Sequence, residues 1–450
     1  MRAILAACVV TLPLVACGGE VGGDDQGPGS PDACVGLECQ VAKCDQMSKP
    51  PTTLTGTVFA PNGTLPLYGI DVYIPREDPG PMAEGVTCDR CGTALPGSPV
   101  TQAKSDEAGN FRLENVPSGA NIPLVIVSGK WRRQITVANV ADCEEQQVPM
   151  GDTRLPRTKA EGDMPKIAIT TGNADTLECL VRKLGIDDTE IGKTGDASRI
   201  HLFDGNGVAS FAGGFPGGSG AIPSATPFWA SADNLKAYDI VILSCEGQQN
   251  AGTKPQEALD AMKAYADAGG RVFASHWHNI WISGHFQGSG NGQSPAVWDT
   301  VGTWDNGQNF SQAIIDVIEE VMNPKGTAFA TWMLNVMGST VRGELPVVEA
   351  RTTSVTLDTT KAEQWVYTKG QSSPNVPAGR SQMFQFTTPL ETASDQRCGK
   401  VVFTDMHVSG SPQNLNPYPG HCVGGNDLTP QEKALAFMFF DIASCVGGIF

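Results

Sequence analysis

The chain has 450 residues, enough at roughly 150 per domain for two or three domains with sizeable cores. It carries 31 Lys+Arg against 48 Asp+Glu, a formal charge of -17, which argues against sequence-independent nucleic-acid binding and suits an anionic membrane surface poorly. Charged residues make up only 18% while glycines number 52, a turn-rich composition that fits secreted proteins, and beyond the N-terminus no apolar run reaches the roughly 18 residues of a bilayer span.

Met1-Arg2 gives a short basic start, and Ala3 to Ala16 is an apolar stretch that reads as a secretion signal over 1–16 rather than a structural helix. The stretch ends Leu14-Val15-Ala16-Cys17, which resembles a bacterial lipobox, the alternative being an ordinary cleaved signal with an incidental Cys. The resemblance implies that Cys17 is acylated and tethers the chain to a bacterial envelope membrane, the outer one being favoured, with the rest in the periplasm or at the cell surface. Each buried acyl methylene adds about 0.8 kcal/mol to such an anchor. Residues 17–50 then hold seven Gly and six acidic residues with few large apolar ones, the composition of a flexible stalk.

Of 13 Cys, Cys8 leaves with the signal and Cys17 takes lipid, leaving an odd eleven for an oxidising compartment. Six precede residue 150 and five follow it, which predicts three bridges in the first part and two plus one free thiol in the second. Cys245 is the candidate free thiol. Cys88-Asp89-Arg90-Cys91 reads as structural disulfide cysteines before a redox pair or half a zinc site, because no matching second pair exists.

From 51 to 150 the hydrophobic period is two. Ile70, Val72 and Ile74 alternate with Asp71 and Tyr73, Phe111 and Leu113 flank Arg112, and Ile122 to Val127 is apolar on both faces like a central strand. Turn chemistry at Pro61-Asn62-Gly63, Asp106 to Asn110 and Pro117-Ser118-Gly119 separates them, predicting an antiparallel β-sandwich. LTGTVFAPNGTLPLYGIDVYIP followed by AKSDEAGNFRLENVPSG resembles the carboxypeptidase regulatory-like (transthyretin-like, CnaB-like) module, which implies a non-catalytic spacer or adhesive unit. Residues 151–163 are polar and aperiodic, and are placed as a linker.

From 164 to 450 the pattern becomes α/β. Lys166 to Thr171, Tyr238 to Leu243, Gly270 to Ser275 and Lys400 to Asp405 are buried strands. Leu177, Leu180, Val181 and Leu184 share a helix face with Asp175 as N-cap; Pro255 to Ala268 and a final helix opened by Thr429-Pro-Gln-Glu432 follow. Gln364-Trp-Val-Tyr and Gln382-Met-Phe-Gln-Phe predict an antiparallel extension of a parallel sheet. YDIVILSCEG, YADAGGRVFASHWH and CGKVVFTDMHVSG together resemble the class I glutamine-amidotransferase-like, flavodoxin-like fold, most similarly its ThuA-like branch. With GKWRRQITV closing the sandwich, the two-part arrangement also resembles lipoproteins of myxobacteria-like Gram-negative bacteria.

That family's activity does not carry over. Its nucleophilic Cys on the turn after GGRVFAS is His276 here, and His407 is followed by Val408-Ser409 rather than Pro-Glu, so glutamine hydrolysis is not expected. Cys245, after YDIVILS, is a replacement nucleophile or an inert buried thiol. His276, His278 and His407 with Glu246 offer three nitrogens and one carboxylate, a set that a divalent zinc-like ion prefers; a metal-free polar pocket and hydrogen-bonded structural histidines are the alternatives. His285, Trp277, Trp281 and Trp304 lie in or near the Gly/Asn/Gln-rich stretch 284–309, a lid or rim whose indoles suit a sugar ring, unless the tryptophans are core. Three classes follow: an envelope protein binding a polar ligand such as carbohydrate or another envelope component; a hydrolase or sugar-modifying enzyme using the His-rich pocket; and an inactive structural or adhesion lipoprotein.

Overall fold

The computed structural model describes residues 36–286, 298–407, 416–422, 425 and 427–447. The signal, Cys17 and part of the expected lid lie outside them. The chain is mixed α/β, richer in strand than in helix, with several sheets of which one is large and mixed.

In the first part, Pro99–Lys104, Asp71–Pro75, Gly119–Ser128 and Trp131–Val140 form one four-stranded sheet in that spatial order. Asn110–Glu114, Thr53–Thr57 and Glu145–Gln147 form a second. Gly119–Ser128 pairs on both sides, which is why its apolar residues alternate with no polar partner: both neighbours and both faces are covered. Leu54, Val72, Ile74, Phe111, Leu113, Ile122, Leu124 and Ile126 meet in one core. One pairing departs from the antiparallel expectation, since Thr53–Thr57 and Glu145–Gln147 run parallel. Tyr73, placed outward by its alternation, is buried with Val125 and Val127 under the loop bearing Met82 and Leu95, and its hydroxyl donates to the Pro96 carbonyl at 2.9 Å.

The described end of the expected stalk is docked rather than free. Cys44 is buried in a disulfide to Cys143, and Val41 bridges Pro117. The stretch 151–163 is likewise packed: Phe59 N–H donates to the Thr153 carbonyl, Leu155 N–H donates to the Phe59 carbonyl, and Arg154 binds both carboxylate oxygens of Glu161. Composition did not show these contacts, because one large apolar side chain, Leu155, reaches the core there and the rest is held by backbone and ion-pair partners.

The large sheet has ten strands in the order Glu344–Val347, Ile314–Ile318, Glu363–Thr368, Ser381–Thr388, Gly399–Thr404, Arg271–Ser275, Ile240–Leu243, Ile167–Thr171, Ile200–Asp204, Ile191–Gly192. The last six are parallel and the first four extend them antiparallel. Helix Pro430–Ala443 begins with Thr429 and Glu432 exchanging capping-box hydrogen bonds and buries Leu435, Met438, Phe439 and Ile442. Helix Gln256–Asp267 buries Leu259, Met262 and Tyr265. Helix Leu177–Lys183 has Thr176, not Asp175, at its N-cap; the Asp175 carboxylate instead accepts a hydrogen bond from Ser275 Oγ at 2.6 Å.

The disulfides correct the half-by-half pairing. Cys88 bonds Cys398 and Cys91 bonds Cys445, so the Cys-x-x-Cys loop is pinned to the other part of the chain; Cys179 bonds Cys422. The loop lies beside the sheet's amino edge, where Arg271 Nη1 donates to the Cys398 carbonyl, and this proximity, invisible in Cys spacing, selects the partners. Cys245 is the free cysteine among the described residues, as expected. Among the described residues no helix is long and apolar enough to cross a membrane.

Candidate metal centre

Three adjacent parallel strands end at one edge. Leu243 is in register with Ala274 and Ser275 with Thr404, so the residues just beyond them emerge side by side at the roughly 4.8 Å spacing of neighbouring strands. Those residues include Cys245, His276 and His407. Each offers one ligand atom, and these atoms lie within 4.8 Å of one another. Cys245 Sγ is 3.4 Å from His276 Nδ1, and the His276 and His407 rings stand 5.2 Å apart, edge to face.

Local structure fixes each donor. His276 sits at the turn after its strand with φ of 42°, the left-handed region that non-glycine residues rarely occupy. Ser275, just before it, is tied to Asp175. The Cys245 carbonyl accepts from Ala174 N–H at 2.9 Å, and Gly172 is required for this approach, since a Cβ there would stand 2.2 Å from that oxygen. Beyond the third strand, Asp405 accepts from Thr353 N–H and Oγ1, both at 2.7 Å, and from Ser354 N–H at 3.2 Å. That clamp draws the loop carrying Arg351 over the edge.

All three donors are buried. Burial pushes the Cys245 thiol up to about 12, against the opposing pull of the Trp277 and Gly247 N–H groups. It pushes the His276 imidazole well below its ordinary value, with His407 and Arg351 adding to the shift, and His407 down to about 3, with Arg351 adding. Burial thus favours the neutral thiol and the two neutral imidazoles, and the neutral imidazole is the form in which histidine ligates metals. His276 Nε2 and both nitrogens of His407 have no hydrogen-bond partner among the described residues. Buried polar atoms are ordinarily paired.

The other residues singled out in the sequence lie apart from this cluster. His278 points away from His276. Its Nε2–H donates to the Ser244 carbonyl at 2.9 Å, and its Nδ1 accepts from Trp281 Nε1–H at 2.9 Å, so both nitrogens are used. Glu246 is not joined to His276 either; both its oxygens lie 2.9 Å from the buried Lys254 Nζ, and Asn250 donates to it at 2.6 Å. Burial raises the Glu246 carboxyl and lowers the Lys254 ammonium, while each partner's charge opposes the shift. Lys254 also stands over the Trp229 ring at 4.7 Å. His285 Nδ1 is 3.0 Å from Gln249 Oε1.

Of the tryptophans, Trp277 stacks obliquely on His276 with centroids 4.6 Å apart and so lines the centre. Trp281 is core, parallel to His278 and edge-on to Trp229. Trp304 belongs to the strand Gly302–Trp304 and packs edge-on against Phe403. Cys17 lies outside the described residues. Sequence reasoning did not single out Arg351 and gave Asp175 only an N-cap role. Both sit in loops without a motif, and only the sheet order brings them to the edge. A cavity of about 30 Å³, room for one water, lies at the opposite edge between Lys130, Asp239 and Arg271.

No protein-family model matches the chain, and no curated protein does. Among solved structures, a cytoplasmic protein of Salmonella typhimurium is similar at 12% identity over 62% of this chain and 97% of that one, with a TM-score of 0.31. A mutant cohesin–X-dockerin complex from Acetivibrio cellulolyticus is similar at 17% identity over 32% of this chain and 78% of that one, TM-score 0.16. A β-galactosidase from Rahnella sp. R3 is similar at 12% identity over 62% of this chain and 30% of that one, TM-score 0.30. At such scores none of these likenesses bears on activity.

Proposed function

We propose that this protein is a cell-envelope lipoprotein, anchored through Cys17, whose α/β part holds a divalent transition metal on Cys245, His276 and His407. In this reading it works as a hydrolase or sugar-modifying enzyme on a polar envelope ligand such as a carbohydrate. The observation that carries the reading is the convergence of one thiol and two imidazoles, of which His276 Nε2 and both nitrogens of His407 lack partners among the described residues. The buried His278 and His201, by contrast, are hydrogen-bonded on both nitrogens. The metal ligands of the proposal thus replace His278 and Glu246 of the sequence expectation with Cys245.

The chemistry of the donors fits a zinc-like ion. One Cys and two His leave one position of a tetrahedral ion open, the pattern of catalytic rather than structural zinc sites. A divalent ion there supplies Lewis acidity in a dry, low-dielectric site. For this chain's own residues, binding requires Cys245 to give up its proton, so metal uptake releases about one proton per ion near neutral pH. Ser275 and Asp175 hold the strained His276 turn, and Asp405 holds the loop of Arg351, a cation suited to an anionic group on the ligand. The ThuA-like resemblance over 164–450 and the carboxypeptidase regulatory-like resemblance over 51–150 belong to the same proposal, the second unit acting as spacer.

The test is metal content of the whole mature chain, prepared from envelopes without chelator or histidine tag, beside Cys245→Ser and His407→Ala. Near one zinc, iron or manganese per wild-type chain, lost in both variants, supports the centre and justifies a hydrolase screen. Metal-free wild type, or equal metal in all three, overturns it and returns the chain to the polar-ligand binding class.

A further inference from the structure

A second group of donors stands around the Cys179–Cys422 disulfide. Cys179 lies in helix Leu177–Lys183 directly after Glu178, and His421 precedes Cys422 in the loop that packs on that helix. His421 Nε2 is 2.9 Å from Glu178 Oε1 and 3.6 Å from Cys179 Sγ. The ligand atoms of Cys179, His421 and Cys422 lie within 4.8 Å of one another. Glu178, His421 and Cys179 are buried, and Cys422 is half-buried, the more exposed of the two cysteines.

We propose that this disulfide is a redox gate on a second metal site, closed while oxidised and opened by reduction to bind a zinc-like ion through Cys179, Cys422 and His421, with Glu178 as fourth donor. Two sulfurs, one imidazole and one carboxylate make the four-donor set of a closed tetrahedral site, in contrast to the three donors around Cys245. While the sulfurs are bonded to each other neither is a thiolate, so the oxidised group lacks its two anionic ligands. After reduction the two cysteines stand as thiols beside a buried carboxylate, and a divalent cation is the charge that lets both give up their protons and ligate as thiolates.

The chemistry balances with a dithiol reductant, of the class that envelope thiol oxidoreductases supply. The reductant's thiolate attacks the half-buried Cys422 sulfur, the Cys179–Cys422 bond breaks, and a second thiol of the reductant resolves the mixed disulfide. Two electrons and two protons pass to the cysteines, and the reductant leaves as a disulfide. Binding of the divalent ion then releases the two thiol protons. Glu178 also links the two centres, since its Oε2 accepts from Ser244 Oγ at 3.3 Å, one residue before Cys245. The inference does not depend on metal at Cys245.

Cobalt(II) is the probe, because thiolate ligation gives it a charge-transfer absorption. The whole mature chain is used in a Cys245→Ala background, so that signal at the first centre is absent. The oxidised chain should show no thiolate band. Anaerobic reduction should produce one at about one cobalt per chain, and Cys179→Ser with Cys422→Ser should abolish it although the other disulfides still open. Cys422→Ser alone frees Cys179 without any reductant and should bind cobalt through Cys179, His421 and Glu178; adding His421→Gln should weaken it at least about tenfold. No band in either the reduced chain or Cys422→Ser overturns the inference, as does an undiminished band in the reduced double variant.

Discussion

Replacing His276 with glycine should leave the metal-free chain nearly as stable as wild type, while His278→Ala, two residues further on, should unfold it much earlier. At His276, the left-handed backbone with φ of 42° costs about 1–2 kcal/mol for a residue with a Cβ. The buried, unpartnered Nε2 costs a further ~1–3 kcal/mol. Glycine removes both penalties. Against this stand the lost packing on Trp277 and His407, of order 2–3 kcal/mol, and about 1 kcal/mol of extra freedom in the unfolded chain. The terms cancel to within about 2 kcal/mol. At His278 nothing offsets the loss. Its removal strands the Trp281 indole N–H and the Ser244 carbonyl, each costing about 1–3 kcal/mol, and opens a cavity beside Trp229, so roughly 3–5 kcal/mol is lost in all. The assay is urea unfolding of chelator-treated chains with disulfides intact, followed by tryptophan fluorescence and far-ultraviolet circular dichroism. Equal midpoint losses for the two variants would refute the division into a site histidine and a framework histidine.

Other consequences can be measured with the same preparations. His201 is buried, its Nε2–H donating to the Ser198 carbonyl and its Nδ1 accepting from the Tyr238 hydroxyl, and burial lowers it to about 4. It is neutral in the fold and protonates more readily when unfolded, so its contribution is complete above pH ~6.5 and is lost as pH falls toward 4, at most about 1.4 kcal/mol per pH unit. His201→Gln should flatten the stability profile in that window, and an unchanged slope would refute the assignment. Lys254→Met should cost about 3–5 kcal/mol by leaving Glu246 buried and unpaired, and Glu246→Gln in the same chain should recover much of it, as read from unfolding midpoints. Cys17→Ser should move the mature chain from the detergent phase to the aqueous phase on phase separation; continued detergent partitioning would refute the anchor.

The strand ends that carry the candidate site were legible because parallel strands covered on both faces are continuous apolar runs. YDIVIL, GGRVFAS and KVVFTD stand out for that reason, and the residues directly after them include Cys245, His276 and His407. The extension beside Gly399–Thr404 was legible from alternation in Gln382-Met-Phe-Gln-Phe, although both faces of Ser381–Thr388 prove buried. What the sequence withheld was direction. His276 and His278 diverge because His276 opens the short 3-10 helix His276–Asn279 in a left-handed backbone conformation, a feature no spacing encodes. Glu246 is captured by Lys254, whose burial is unusual for its type and so unexpected from composition. The cross-chain disulfides depend on which loop lies against which strand end, and cysteine counts alone carry no such information. The indoles were ambiguous because a tryptophan that packs a core and one that lines a site have the same side chain; only Trp277 stands against a proposed ligand.

The most direct test of the metal centre is X-ray absorption at the edge of whatever ion the mature chain carries when purified without chelator. The account predicts one sulfur neighbour at about 2.3 Å and two imidazole nitrogens at about 2.0–2.1 Å, with the sulfur lost in Cys245→Ser. A shell of oxygen alone, or an unchanged sulfur signal in that variant, would contradict it.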